Sequence, residues 1–394
     1  MPDKKKKICV ITGTRAEYGL FYPLLCLMKK DAFFSLQIIA TGMHLSPAFG
    51  LTYREIESDG FHISERVEML LATNTDEGMS KSVGLGIISM TDALKRLSPD
   101  LVLVLGDRYE TFAAAAAAFF IKIPVVHLHG GELTEGAMDD AMRHSITKIS
   151  WLHFTSTEQY ANRVIQLGED PGRVFNVGAV GLDNIHGVKL MNKRELERVI
   201  NFKFQGRTAI VTYHPVTLEA GSSENHFRAM LDCLHHVEGL KMIFTMPNSD
   251  PGSQVINDLI VSYVSSNPQR AVSFTSMGRM RYLSAMKYSD LVIGNSSSGL
   301  IEAPSFGIPT VNIGDRQRGR VTAESVISCG IKAGDIKKAI RYALSDGFMK
   351  LCKTVHNPYG SGKSAPRIMT VLKKELKKSI NLKKMFYDLE RGDK

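Results

Sequence analysis

The sequence predicts an α/β chain of two doubly wound, Rossmann-type domains facing each other across a cleft. Three observations predict it. Short, nearly continuous apolar runs alternate with segments of helical period, as parallel strands buried on both faces require. The series starts twice, as 394 residues with 44% hydrophobic content allow. The polar, glycine-containing clusters all follow apolar runs, and in open α/β sheets those loops gather at one edge, where ligands bind.

In chain order, residues 8–12 read as a first strand, and residues 18–30 carry apolar side chains at helical spacing. Residues 36–41, Leu101–Leu105 and 124–129 read as further strands, followed by shorter ones at 154–156 and 174–177. The second series comprises residues 209–212, 242–245, 291–293 and Thr310–Ile313. The expected division is a first domain over 1–183, a second over 184–365, and a Lys-rich helix and tail over 366–394. Within that last segment Ile368, Leu372, Leu376 and Ile380 stand four apart, so a helix is expected over about 366–390.

The formal net charge of +9 resembles a nucleic-acid signal, but its distribution argues otherwise. Residues 1–7 contribute +3 and residues 371–394 contribute +4, which leaves +2 for all the rest. One Trp and no basic–aromatic interleaving give no stacking platform, so no nucleic-acid partner is expected. An anionic small molecule suits the balance equally well. Five scattered cysteines without a Cys-x-x-Cys spacing suggest buried thiols in a reducing compartment. The apolar run behind the lysines at 4–7 stops at Thr12-Gly13 and is too short for a signal peptide; residues 113–121 are too short for a span. A soluble, cytoplasmic protein without membrane insertion is the expectation.

The stretch Gly294-Asn295-Ser296-Ser297-Ser298-Gly299 ends an apolar run in a hydroxyl-rich turn. Serines there either cap a helix or bind phosphate oxygens. Glu302 lies about a turn further on, placed to accept from paired ribose hydroxyls. Gly13-Thr14-Arg15-Ala16-Glu17-Tyr18-Gly19 follows the first strand without the Gly-x-Gly-x-x-Gly spacing, so Arg15 reads as a phosphate ligand and a dinucleotide is not expected. Gly360-Ser361-Gly362-Lys363-Ser364 lacks the P-loop's first glycine, its position being Asn357. Asp107 and Arg108 end one buried strand; His127 and His129, on one face of the next, form a possible metal pair without a convincing third ligand. No metal and no cofactor are therefore expected. Either Asp139 or Asp140 caps the next helix, which leaves the other available.

Together these residues resemble the hydrolysing UDP-N-acetylglucosamine 2-epimerases of bacterial sialic-acid and legionaminic-acid biosynthesis. The stretches that carry the likeness are residues 12–19, Thr41-Gly42-Met43-His44, Gly106-Asp107-Arg108, Gly130-Gly131-Glu132, Asp139-Asp140 with residues 143–146, Tyr213-His214-Pro215-Val216-Thr217, and Gly294 through Arg316. The resemblance implies a GT-B-like fold with UDP held mainly by the second domain. It implies Ser296 and Ser297 on the diphosphate, Glu302 on the ribose, His214 and Arg15 facing the diphosphate, and Asn248 on the nucleotide side. His44 and Arg316 fall at the substrate cleft, and Arg108 orients substrate. The implied reaction eliminates UDP anti across C1–C2 and hydrates the resulting 2-acetamidoglucal to the free manno sugar, N-acetylmannosamine when the substrate is UDP-N-acetylglucosamine. It needs acid/base groups on both ring faces, for which Asp107 and Asp139 are candidates, with His214 also in the catalytic set.

One position departs from the family. Many relatives carry a proton-transferring Glu where this chain has His129. Either His129 or Glu132 takes that role, or the change tracks another sugar, UDP-N,N′-diacetylbacillosamine. UDP-N-acetylglucosamine is the first expectation. A GT-B glycosyltransferase is the rival of another class, separated by its need for an acceptor; a non-hydrolysing epimerase would retain UDP. A homodimer or homotetramer is implied by likeness.

Overall fold

A computed structural model describes residues 5–73, 75–134, 137–215, 222–247 and 252–389. Seven parallel strands form the first sheet: β1 (Lys6–Thr12), β2 (Phe34–Thr41), β3 (Glu65–Val67), β4 (Leu101–Leu105), β5 (Val125–Leu128), β6 (Leu152–Thr155) and β7 (Val174–Asn176). Their order is β3-β2-β1-β4-β5-β6-β7, so the winding reverses between β1 and β4. The second sheet holds β8 (Arg207–Thr212), β9 (Leu240–Thr245), β10 (Ala271–Phe274), β11 (Leu291–Gly294), β12 (Thr310–Ile313) and β13 (Val326–Cys329), ordered β10-β9-β8-β11-β12-β13. It reverses in the same way between β8 and β11.

The central strands are buried along their length. Leu101–Leu105 has no exposed residue, and the helices on the two faces of its sheet fill separate cores. This is the two-faced burial that continuous Val/Leu runs predict. The strands missing from the sequence reading, β3, β10 and β13, are the sheet edges, or next to solvent; they carry Glu65, Arg66, Ser273 and Ser328 in place of an unbroken apolar run.

The last helix runs Ser364–Leu376 and ends well short of residue 390. Ile368, Leu372 and Leu376 pack into the first domain's core against helix Arg15–Lys30, so the chain crosses back to the domain it began in. Beyond it the tail is tied back to the first domain, through Tyr387 N on the Gly168 carbonyl at 3.0 Å and above all through one lysine. Lys384 Nζ donates to the Lys148 and Ser150 carbonyls at 2.9 and 2.7 Å and pairs with buried Glu169 at 2.5 Å. These contacts satisfy the lysine without a helix, and Ile380 is left at the edge of the core.

Among the described residues no helix is long and apolar enough to cross a membrane, and no group of three or more His, Cys, Asp or Glu could hold a metal ion.

Candidate functional site

Both switch points open onto one cavity of about 310 Å³ between the two domains. Its first wall is built at the ends of β1, β4 and β5. Thr14 Oγ1 accepts from Glu17 N at 3.3 Å while Glu17 Oε2 accepts from Thr14 N at 3.2 Å and from Gly13 N at 2.7 Å, a reciprocal cap that starts helix Arg15–Lys30 and aims Arg15 into the cavity. Burial lowers the Arg15 guanidinium to about 10, only partly offset by Glu55. Burial also pushes Glu17 up to about 7, with Glu110 adding to it.

After β4, Arg108 is pinned by the buried Glu110 carboxylate at 3.1 and 3.3 Å. Asp107 meets Arg143, a fully buried arginine whose Nη2 also donates to Thr134 Oγ1 at 3.0 Å. Asp139 lines the cavity from the first turn of helix Met138–Ile149. Its neighbour Asp140 instead accepts from Thr134 N at 2.7 Å, bracing the loop, and neither aspartate caps through its side chain.

The two strand histidines part company. His127 is wholly buried; its Nε2 lies 2.7 Å from the Gly106 carbonyl and its Nδ1 3.3 Å from Thr147 Oγ1, and burial drives it down to about 3. His129 falls just beyond β5 with φ +65°, which turns its ring into the cavity. The strand alternation that would put them on one face ends at Leu128, so the possible metal pair does not form. Positive φ at a non-glycine residue costs energy and is found where packing enforces it.

Glu132 sits beside His129, with Oε1 2.9 Å from His129 Nδ1 and accepting from Ser156 Oγ at 2.8 Å. Its other oxygen pairs at 3.2 Å with Arg320, which comes from the second domain. Burial alone would raise this carboxyl, but Arg320 and then His129 override it and hold it down at about 2.

The second wall is built on β8 and β11. Gly294 has φ +131°, and a Cβ there would stand 1.8 Å from the Thr212 carbonyl oxygen on the neighbouring strand. Only glycine allows this approach. Asn295 then clamps the β8 end, accepting from His214 N at 2.7 Å and donating to its carbonyl at 2.8 Å. Ser296, Ser297, His214 and Arg316 line the cavity. Ser297 makes no side-chain cap bond to the short helix Ser298–Ile301, so capping does not account for its hydroxyl. Ser298 is engaged, receiving a 2.8 Å bond from Tyr282. Glu302 is buried with Oε2 lacking a hydrogen-bond partner among the described residues, and burial pushes it up to about 7.

Of the sequence-selected residues, Arg15, Asp107, Arg108, His129, Glu132, Asp139, His214, Ser296, Ser297, Glu302 and Arg316 converge on this cavity. His44 does not. It is fully buried, with Nε2 3.1 Å from Thr12 Oγ1 and Nδ1 2.9 Å from Thr52 Oγ1; both ring nitrogens are used, and burial lowers it to about 4. It ties β1 to the loop after β2 and is corrected from substrate ligand to core. Asn248, Val216 and Thr217 lie outside the described residues. Sequence reasoning did not select Arg143, Tyr282, Arg279 or Arg320 as site residues. Arg143 stands four residues after Asp139 and was within reach; Arg320 carries no local signal, since its partners Glu132, Leu133 and Thr134 lie 186–188 residues away.

Residues 27–373 match the family model described as UDP-N-acetylglucosamine 2-epimerase. A GDP/UDP-N,N′-diacetylbacillosamine 2-epimerase (hydrolyzing) of Campylobacter jejuni is 43% identical over 83% of this chain and 85% of its own. Polysialic acid biosynthesis protein P7 of Escherichia coli is 38% identical over 98% of both. Among solved structures, the UDP-GlcNAc 2-epimerase of Neisseria meningitidis bound to UDP-GlcNAc superposes with a TM-score of 0.79 at 21% identity, covering 94% of this chain and all of that one. The fold is thus that of the GT-B-like epimerases, and the chain belongs to the UDP-N-acetylglucosamine 2-epimerase family, a UDP-sugar 2-epimerase by descent.

Proposed function

We propose that this epimerase is a hydrolysing one, converting a UDP-2-acetamido sugar and water into UDP and the free manno-configured sugar. The observation that carries the reading is the division of labour across one cavity: carboxylates and an imidazole on the first wall, serines, histidine and arginine on the second. Ser296, Ser297, His214 and Arg15 take the diphosphate, Arg316 stands beside them, and Glu302 takes the ribose hydroxyls. Cations aimed at the leaving group stabilise the charge that builds as C1–O breaks. Loss of that bond acidifies C2–H, so elimination gives the glycal, and Asp107 and Asp139 serve in its hydration and reprotonation. Arg108, held rigid by Glu110, orients the sugar.

The hydrolysing relative at 43% identity moves UDP-N,N′-diacetylbacillosamine ahead of UDP-N-acetylglucosamine as the sugar; the family's description supports the second. The test is NMR of the purified protein in D2O with each UDP-sugar offered alone. Free UDP with a manno sugar deuterated at C2 is the expected result, from one donor faster than the other. Epimerised sugar still attached to UDP would overturn the hydrolysing assignment. A bound but unchanged donor in both tubes would point to a transferase lacking its acceptor.

A further inference from the structure

A buried hydrogen-bond chain in the site has its last member on the opposite domain, and its first member ends at the cavity with no partner among the described residues. Arg320 reaches across the cleft with all its polar atoms engaged. Nε donates to the Leu133 carbonyl at 2.6 Å, Nη2 to Thr134 Oγ1 at 3.0 Å, and Nη1 pairs with Glu132 Oε2 at 3.2 Å. The next residue, Val321, is held by Tyr160 and Tyr359 through bonds of 2.9 Å each, so the segment itself is anchored. Glu132 is filled by Arg320 on one oxygen and by Ser156 and His129 Nδ1 on the other. A charged carboxylate only accepts, so the His129 Nδ1 facing it must carry hydrogen; in the neutral ring Nε2 then holds the lone pair. His129 Nε2 is buried and has no hydrogen-bond partner among the described residues, although its ring lines the cavity. Glu132 itself has no oxygen left for a proton.

We propose that His129 Nε2 is the base that takes the C2 proton, and that Arg320 and Glu132 are positioning residues that make it one only when the two domains are closed on each other. The inference rests on the epimerase reaction proposed above. As Nε2 takes the proton, the C2–H electron pair becomes the C1–C2 π bond and the C1–O pair departs with UDP. The imidazolium is stabilised by Glu132 and later yields its proton to water. Hydration supplies hydroxyl to C1 and a proton to C2 from the other ring face. Other charged or titratable groups facing this corner are Asp107 after β4, Arg143 on helix Met138–Ile149, His127 on β5, the Tyr160 and Tyr359 hydroxyls that hold Val321, and Glu302 from the second domain. An imidazole also suits this buried corner: a second carboxylate beside Glu132 would add like charge there, whereas the His129 ring complements it.

The test uses the full chain, UDP release from whichever UDP-sugar the wild type consumes, and UDP itself as the binding probe. His129→Gln should lose roughly 10²–10⁴-fold in kcat. Arg320→Gln should lose about 10–100-fold in kcat while KM and UDP affinity move by less than about 3-fold, and Arg320→Lys should recover part of the loss. A merely structural role would move affinity and melting temperature together, with no rescue by lysine. If Arg320→Gln unfolds, Glu132→Gln carries the same split, because it keeps an acceptor for Nδ1–H and removes the charge. Wild type that releases no UDP overturns the reaction and the inference together. Wild-type turnover with kcat retained in His129→Gln, or in both positioning variants, overturns the inference alone.

Discussion

Two buried glutamates on opposite walls of the cleft show how differently the two domains are prepared. Glu132 and Glu302 are both almost removed from solvent, yet Glu132 is held down at about 2 and Glu302 is pushed up to about 7. Burial acts on both in the same sense. Counter-charge makes the difference: Arg320, His129 and Ser156 surround the first, whereas Glu302 Oε2 has no partner among the described residues. Carboxylates of the first wall are therefore paired before any ligand arrives, with Asp107 on Arg143 and Glu110 on Arg108 as further examples. The second wall holds a carboxyl whose ionisation needs donors from outside. A prewired wall fits proton transfer, where geometry must precede reaction, and an incomplete one fits reversible binding.

The largest effect expected from breaking this contrast is at Asp107. Asp107→Asn should lower turnover roughly 10²–10⁴-fold and leave UDP affinity, assigned to Arg15, His214, Ser296, Ser297 and Glu302, within about 2-fold. The substitution also leaves Arg143 buried without its counter-ion, a cost of roughly 3–5 kcal/mol for a broken buried pair. Adding Arg143→Met should return much of the lost melting temperature and none of the turnover. Steady-state kinetics with thermal unfolding of both variants checks this. Recovery of activity in the double variant would remove Asp107 from the proton-transfer set.

The glycines that end the two central strands sharpen the comparison through stability. Gly294→Ala drives a methyl onto the Thr212 carbonyl at 1.8 Å and should cost about 4 kcal/mol or more, at the upper end for single substitutions. Gly106, with φ +79° and no atom within 4 Å of its absent Cβ, should cost only the left-handed backbone term, about 1–2 kcal/mol. Melting temperatures decide it, and equal losses would mean that the close approach of β8 and β11 is not what the second wall depends on.

What could be read from the sequence follows the same physics. Strands buried on both faces announce themselves, as β4 does with five apolar residues in a row; edge strands such as β3 do not, because one side meets solvent. The clusters at strand ends were legible as a site, because topology alone brings those ends to one edge. Partner choice within the site was not. Nothing local distinguishes His44, bonded on both nitrogens in the core, from His129, turned into the cavity by a φ of +65°. Nor does any local pattern tie Arg320 to Glu132, since that pairing exists only after two domains have folded and met. The tail shows the same limit: Ile380 keeps helical spacing, but Lys384 finds carbonyls and Glu169 that lie more than 200 residues earlier in the chain.

The smallest of the expected effects tests the unfinished wall directly. Glu302 has its folded pKa raised to about 7 from an ordinary 4.5. Between those values the unfolded chain has already released its proton while the folded one retains it, so stability falls as pH rises through this window and is flat above it. The full separation corresponds to at most about 3 kcal/mol. Glu302→Gln removes the group that must ionise, and the unliganded variant should therefore be more stable than wild type at pH 8 and indistinguishable from it at pH 4. The same variant should bind UDP more weakly at pH 8, because an amide offers one acceptor oxygen where a carboxylate offers two to paired ribose hydroxyls. A variant that is stabilised yet binds UDP as before would leave Glu302 a buried carboxyl without a ligand. A variant that loses both stability and binding would show that Glu302 is already satisfied in the empty protein, and that the second wall is wired as completely as the first.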